Sequence, residues 1–141
     1  MDGILRIIGS HDHGDGNPEI VKTECPAVCT TEGNISVITY NEELRGDASS
    51  SPIQHRLEIG VGTLRMSQTG ALESDMRFGP GKEWHSSYRT PYGEMDMSVT
   101  TKSLMIETGT KKISAHVQYS LSLDGNMISD SKVRITFIPK L

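Results

Sequence analysis

The chain has 141 residues, a net charge of −4 and 35% hydrophobic residues, which suits one domain over residues 1–141 with a single core. Acidic and basic residues are mixed along it, so it lacks the basic footprint of a nucleic-acid partner. No apolar run approaches the ~18 residues that span a bilayer. The opening Met1-Asp2-Gly3-Ile4-Leu5-Arg6 lacks a secretory leader's basic start and small-residue cleavage site, so a cytoplasmic location is expected.

In chain order, Ile4–Ile8 is short, β-branched and strand-like, and His11–Pro18 reads as a polar loop. Glu19–Thr31 is extended but contains Pro26, which cannot donate to a ladder and so marks an edge or a bulge. Cys25 and Cys29 fall in this segment. Four residues of strand put their Cα atoms ~13 Å apart, whereas a disulfide needs under ~7 Å, so two structural thiols are expected. After the Glu32-Gly33 turn, Asn34–Glu42 returns as a strand and Arg45–Ser51 is a second polar loop. Ile53–Gly60 alternates, with Ile53, His55, Leu57 and Ile59 on one face. Gly60-Val61-Gly62 turns into Thr63–Thr69, and Gly70 turns into Ala71–Phe78. Gly79-Pro80-Gly81 is a loop.

The stretch from Trp84 to Gly93 holds the only Trp and two of the four Tyr. Alternation puts Trp84, Ser86 and Tyr88 on one face and His85, Ser87 and Arg89 on the other. The aromatic face is expected inside, because burying the two rings contributes a few kcal/mol at ~25 cal/mol per Å². Thr90-Pro91-Tyr92-Gly93 reads as a turn, since Pro presets φ and Gly accepts positive values. Glu94–Thr108 then changes phase: Met95, Met97 and Val99 are odd, Leu104 and Ile106 even. A two-residue period changes parity only through an extra residue, so a bulge or bend is expected near Lys102-Ser103. Beyond Gly109, Lys111–Leu123 alternates cleanly, which predicts Val117, Tyr119 and Leu121 inside and Gln118 and Ser120 outside. Asp124-Gly125 is a strong hairpin signal, and Met127–Ile138 ends the pattern.

About ten strands with no helix, joined by short turns, predict an all-β antiparallel up-and-down barrel, since closure removes exposed edges. A two-sheet sandwich is the alternative. The run Ser67-Gln68-Thr69-Gly70-Ala71-Leu72-Glu73-Ser74-Asp75-Met76-Arg77-Phe78, then Gly81-Lys82, Tyr88-Arg89-Thr90-Pro91-Tyr92-Gly93, Thr101-Lys102 and Leu123-Asp124-Gly125, resembles the bacterial YwiB-like family, a domain of unknown function placed among calycin-type, lipocalin-like barrels. The resemblance covers most of the chain from Arg56 onward. It implies a barrel of eight to ten strands and no particular activity. The His-Asp-His loop and both cysteines lie outside its pattern.

Several motifs fail on inspection. His11-Asp12-His13-Gly14-Asp15 has metal-ligand residue types but no identifiable downstream ligand, and no metal or cofactor is expected. Gly60-x-Gly62 has Arg65 where a dinucleotide fingerprint needs its third Gly. Gly81-Lys82 lacks a phosphate loop's first Gly, replaced by Met76, and its Ser/Thr, replaced by Glu83. Arg45-Gly46-Asp47 and Asn34-Ile35-Ser36 match adhesion and glycosylation tripeptides that three residues reach by chance. His85 and Ser86 point to opposite faces, and His85 and Ser87 lie ~6.6 Å apart by strand rise, too far for direct proton transfer.

Met66, Met76, Met95, Met97, Met105 and Met127 suggest a Met-rich interior, which suits either a filled barrel or room for one small ligand. The leading expectation is a binding module that takes a small apolar or amphipathic molecule at the barrel mouth. Trp84, Tyr88, Tyr92, Met95 and Met97 would line it, and Arg89 would meet an anionic head. The alternative is a non-catalytic scaffold, such as a homodimer formed through an edge near Pro26. An enzyme using His85 and Arg89 ranks last.

Overall fold

The computed structural model describes residues 1–42 and 53–140. They form ten strands: β1 (Asp2–Asp12), β2 (Glu19–Glu32), β3 (Ile35–Glu42), β4 (Ile53–Ile59), β5 (Leu64–Thr69), β6 (Ser74–Phe78), β7 (Glu83–Thr90), β8 (Gly93–Thr108), β9 (Ile113–Leu123) and β10 (Asn126–Pro139). All pairings are antiparallel, in the order β6-β5-β4-β3-β2-β1-β10-β9-β8-β7. Every strand thus lies beside its chain neighbours, and β1 pairs β10 over ten residues, from Gly3↔Pro139 to Asp12↔Asp130. The terminal strands therefore make a strong joint, and the weak one lies between β6 and β7. There a single bridge joins Glu73 and Arg89 through two backbone bonds of 2.9 and 2.8 Å. The result is a nearly closed ten-stranded meander barrel.

The two-residue period places the core. Leu5, Ala27, Cys29, Ile38, Leu57, Leu64, Phe78, Val99, Val117, Ile135 and Phe137 belong to one continuous buried cluster. Phe78 tilts against Tyr119 at 4.9 Å, and Tyr40 stacks on His55 at 4.5 Å. Side chains of the described residues occupy the interior, with Leu5, Ile38, Val99, Ile135 and Phe137 at 0% exposure. Met105 and Met127, expected inside, are exposed. Met105 lies between the inward Leu104 and Ile106, so it must face out. Met127 sits at the hairpin end of β10, beside the register shift between Met127 and Ser129.

The parity change in β8 is absorbed where the sequence requires it. Thr101 pairs Tyr119 and Ser103 pairs Gln118, leaving Lys102 as the extra residue. The strand continues through this bulge instead of ending there, because β9 pairs it on both sides. The Asp124-Gly125 corner takes positive φ at both residues, as a two-residue hairpin turn demands. On β9, Val117 and Tyr119 are buried and Gln118 exposed as expected, whereas Leu121 and Ser120 are half-buried near the barrel end.

Three boundaries differ from the sequence expectation. β1 runs to Asp12, so His11 and Asp12 belong to the strand; pairing of His11 with both β2 and β10, and of Asp12 with β10, outweighs their loop-like composition. β6 is shorter than Ala71–Phe78 because residues 70–72 form the turn. β2 changes partners at Val28: residues 19–28 pair β1, and 28–32 pair β3. Pro26 lies in the part of β2 for which no β3 pairing is found among the described residues. Cys25 and Cys29 are both thiols. Arg45–Ser51, including Arg45-Gly46-Asp47, lies outside the described residues.

Candidate functional site

Strand β7 alternates as its sequence requires: Trp84, Ser86 and Tyr88 are half-buried, while His85, Ser87 and Arg89 are exposed. The structure does not gather the six candidate residues into one pocket. Met97 is 3% exposed and belongs to the core, and Tyr88 packs against that core opposite Met95, which is half-buried. Tyr92 is 100% exposed at the tip of the β7–β8 turn. Arg89 is exposed and paired with Glu73 at 3.2 Å. Trp84 lies at the other end of β7, ~20 Å from Thr90 by strand rise. Aromatic residues close in sequence were thus spread along the barrel axis by the extended backbone that carries them.

Trp84 instead helps to build the β6–β7 joint. Its indole N–H donates to the Asp75 carbonyl at 3.2 Å, and Ser86 Oγ donates to the same oxygen at 2.8 Å. Side chains here replace the missing rungs of the backbone ladder. Two cations face the indole: the Arg77 guanidinium carbon lies 4.4 Å from the ring centroid and Lys82 Nζ 5.8 Å. Such contacts contribute ~0.5–1 kcal/mol each when exposed. The Lys82 loop is pinned from below, since Thr101 N–H donates to the Lys82 carbonyl at 2.9 Å and Gly79 N–H to Thr101 Oγ1 at 3.3 Å. The β8 bulge, next to Thr101, therefore helps fix the position of Lys82.

Arg77 and Lys82 also line a cleft of about 320 Å³ at this end of the barrel, with Ile35, Leu64, Arg65 and Phe78. Leu64 and Phe78 underlie it but are each only 1% exposed, and Glu58, Gly60 and Thr63 also border it. Its cations are not equally engaged. Arg65 grips Asp75 with two bonds of 2.9 and 3.1 Å and reaches Glu58 at 3.1 Å. Burial pushes the Asp75 carboxyl up, but bonds and charges from Arg65 and Arg77 outweigh it and hold the group below its usual range. Arg77 makes one 3.3 Å bond to Asp75, and its Nε is buried without a hydrogen-bond partner. Lys82 has no acidic partner among the described residues. Two cations with unspent donors therefore border this cleft.

A second cluster was not anticipated from sequence. His11 turns inward from β1, and its Nδ1 lies 2.7 Å from Ser131 Oγ, which in turn lies 2.9 Å from Ser129 Oγ. Tyr119 faces Ser131, and its burial raises the phenol pKa against the lowering effect of that hydroxyl. Ser129, Ser131 and Tyr119 are all buried, so this is a polar network within the wall of the core. Burial lowers the His11 pKa; His13 adds to that and Glu19 opposes it. Gly9 makes room for the ring, because a Cβ there would lie 2.6 Å from His11 Nε2. The available signal was the alternation of Gly9 and His11 in phase with Leu5 and Ile7. His13 turns elsewhere, to the Ile128 carbonyl at 3.1 Å and Glu19 at 3.4 Å.

Comparison with known proteins agrees with this architecture. A family model described as a domain of unknown function, DUF1934, matches residues 5–135. The chain belongs to the DUF1934 family. A DUF1934-like relative, described as the uncharacterized beta-barrel protein YwiB of Bacillus subtilis (strain 168), is 20% identical over 123 residues, covering 87% of this chain and 84% of that protein. The crystal structure of the ywiB protein from Bacillus subtilis superposes with a TM-score of 0.85 at 18% identity, covering 99% of this chain and 92% of that one. The DUF1934 barrel is thus shared, and its chemistry has to be argued from side chains. In this DUF1934 chain His85 pairs Glu83 at 3.2 Å on the outer wall. Ser131 has a histidine at bonding distance, is 3% exposed, and borders a cleft of about 200 Å³ with Ser10, Asp12 and Tyr119.

Proposed function

We propose that this barrel is a binding module for a small amphipathic anion, which it takes at the rim cleft beside Trp84 rather than inside the barrel. The observation that carries this reading is the pairing of Arg77 and Lys82 over one indole, at the border of a cleft that both also line. Pockets set a few placed polar groups beside apolar walls; here the exposed Ile35 supplies the apolar side, Arg77 and Lys82 the cations, and Arg65 holds the one lining carboxylate, Glu58. Arg89, the cation first expected from sequence, is less suited because Glu73 already engages it. The cluster of buried core side chains argues against an internal ligand of the kind a hollow barrel holds. The apolar tail would lie toward Ile35, with the anionic head between Lys82 and Arg77.

Trp84 is the only tryptophan, and its ring lies against the two cleft cations Arg77 and Lys82, so its emission should respond when they engage a ligand. Titration with decanoate below its micelle concentration should shift Trp84 emission along a saturating curve, with decanol binding more weakly. Lys82→Ala and Arg77→Gln should each raise the midpoint about tenfold, the loss of one charge-assisted contact. Arg89→Ala should leave it unchanged. Midpoints insensitive to both cleft substitutions, or no saturable response, would sink the reading.

A further inference from the structure

We propose that the outer wall of the barrel carries a binding site, sharing no residue with the rim cleft, for a phosphomonoester on an apolar body, held between Lys132, Arg134 and His116. Alternation turns Lys132 and Arg134 outward from β10, because Ser131, Val133 and Ile135 are buried on its other face. Register then decides their neighbours. Arg134 stands between Ile8 of β1 and His116 of β9, and His116 is opposite Met105 of β8. One rung along, Lys132 stands between Ser10 and Gln118, and Gln118 is opposite Ser103. The short side chains of Ser10 and Ser103 leave the wall indented, and the two rungs line a groove of about 470 Å³. The 200 Å³ cleft adjoins it, sharing Ser10, Gln118 and Lys132.

These groups stand out because the fold makes no use of them. Among the described residues Arg6, Arg56, Arg65, Arg77 and Arg89 each pair with a carboxylate at 3.3 Å or less, and Arg134 alone has no acidic partner. His116 is the one histidine there without a hydrogen-bond, ion-pair or ring partner. The acids nearby are spent or lie past the groove. Asp130 accepts from Lys102 Nζ at 2.8 Å and Ser120 Oγ at 2.7 Å. One rung beyond Arg134, Arg6 is paired with Glu24, and Glu107 stands one rung past Met105. The unneutralised field is therefore two rungs tall, ~6.6 Å from one to the next, which fits one small anion and not a polyanionic strand. Ammonium, guanidinium, imidazole and the Gln118 amide present more N–H donors than a carboxylate's two oxygens can accept, and the guanidinium fork matches phosphate. Met105, 66% exposed, flanks the donors on one side and the half-buried Ile8 on the other. Methionine adapts to the shape it meets, so the apolar body of the ester lies over Met105.

Amide chemical-shift mapping on the full chain with phenyl phosphate, at constant ionic strength, tests this. Saturable shifts should centre on Ser103, Met105, His116, Gln118, Lys132 and Arg134, while the Trp84 indole N–H stays still. Benzoate and inorganic phosphate should each bind more weakly. Arg134→Gln and Lys132→Gln should each raise the phenyl phosphate midpoint about tenfold, the loss of one charge-assisted contact. Met105→Ser should weaken phenyl phosphate and leave inorganic phosphate unmoved, and Lys82→Ala in the rim cleft should change neither. The three groove positions are exposed, so each variant should keep the parent's amide spectrum away from the groove. No saturable shift, a midpoint indifferent to Arg134→Gln, benzoate binding as tightly as phenyl phosphate, or shifts centred on the Trp84 indole would each overturn the assignment.

Discussion

Replacing Gly9 with Ala should reveal how tightly the barrel wall is built around His11. The three atoms nearest an added Cβ all belong to the His11 ring, at 2.6 Å from Nε2, 3.3 Å from Cε1 and 3.5 Å from Cδ2. The ring must swing away, which breaks its 2.7 Å bond to Ser131. A hydrogen bond contributes ~0.5–1.5 kcal/mol net, and a buried group left unsatisfied costs ~1–3 kcal/mol. Ser131 keeps Ser129 as a partner, so the loss should be ~1–2 kcal/mol. Against this, Ala restricts the unfolded chain and stabilises by ~0.4–1 kcal/mol where the backbone is permissive. Gly9 does not have the left-handed φ that would forbid Ala. Gly9→Ala should therefore destabilise the natural protein modestly, and should be neutral or stabilising in a His11→Ala background. Urea denaturation of the four proteins in this cycle measures the coupling. An equal cost of Gly9→Ala with and without the imidazole would refute the reasoning.

The same histidine gives a pH dependence. Its folded pKa lies below the ordinary value, mainly through burial, so its contribution is complete above the unfolded pKa of ~6.5 and lost as pH falls through that value toward the folded pKa. His11→Ala should flatten this part of the stability profile; an unchanged slope would assign it elsewhere. Leu57→Ala, at a fully buried core position, should cost ~2–5 kcal/mol, against under ~0.5 kcal/mol for the exposed Gln118→Ala; comparable values would mean the facing is wrong. Gly3→Ala drives a Cβ to 2.5 Å from both the Ile138 carbonyl and the buried Phe137 ring, so it should cost ~1–3 kcal/mol by the same urea assay. Counting thiols on denatured, non-reduced protein should find both Cys25 and Cys29; finding neither would mean a bridge and a bent β2.

Strand facing was the legible part of this sequence. The period of Ile113, Ala115, Val117 and Tyr119 depends only on local alternation, and so did the forced bulge between Val99 and Leu104. Turns carried by Asp124-Gly125 and Pro91-Tyr92-Gly93 were equally local. What escaped was set by partners far along the chain. His11 reads as loop by composition, yet β2 and β10 hold it in a strand and Ser131, 120 residues away, captures its ring. The candidate site failed to gather for a related reason. Residues adjacent in sequence on a strand are distributed along the barrel, whereas Trp84 meets Arg77 and Lys82 only because β6 and β7 close the wall with side chains. Cation spacing around an indole has no period to find.

On the function proposed above, the rim cleft, and not the barrel interior or the Tyr92 turn, takes the ligand. Amide and indole chemical-shift mapping during a decanoate titration tests it most directly. Saturable shifts should concentrate at Ile35, Leu64, Arg77, Phe78, Lys82 and the Trp84 indole N–H, with Arg89, Tyr92 and the core at Ile135 and Val117 still. Shifts centred on Arg89 and Tyr92, or spread through the core, would contradict it.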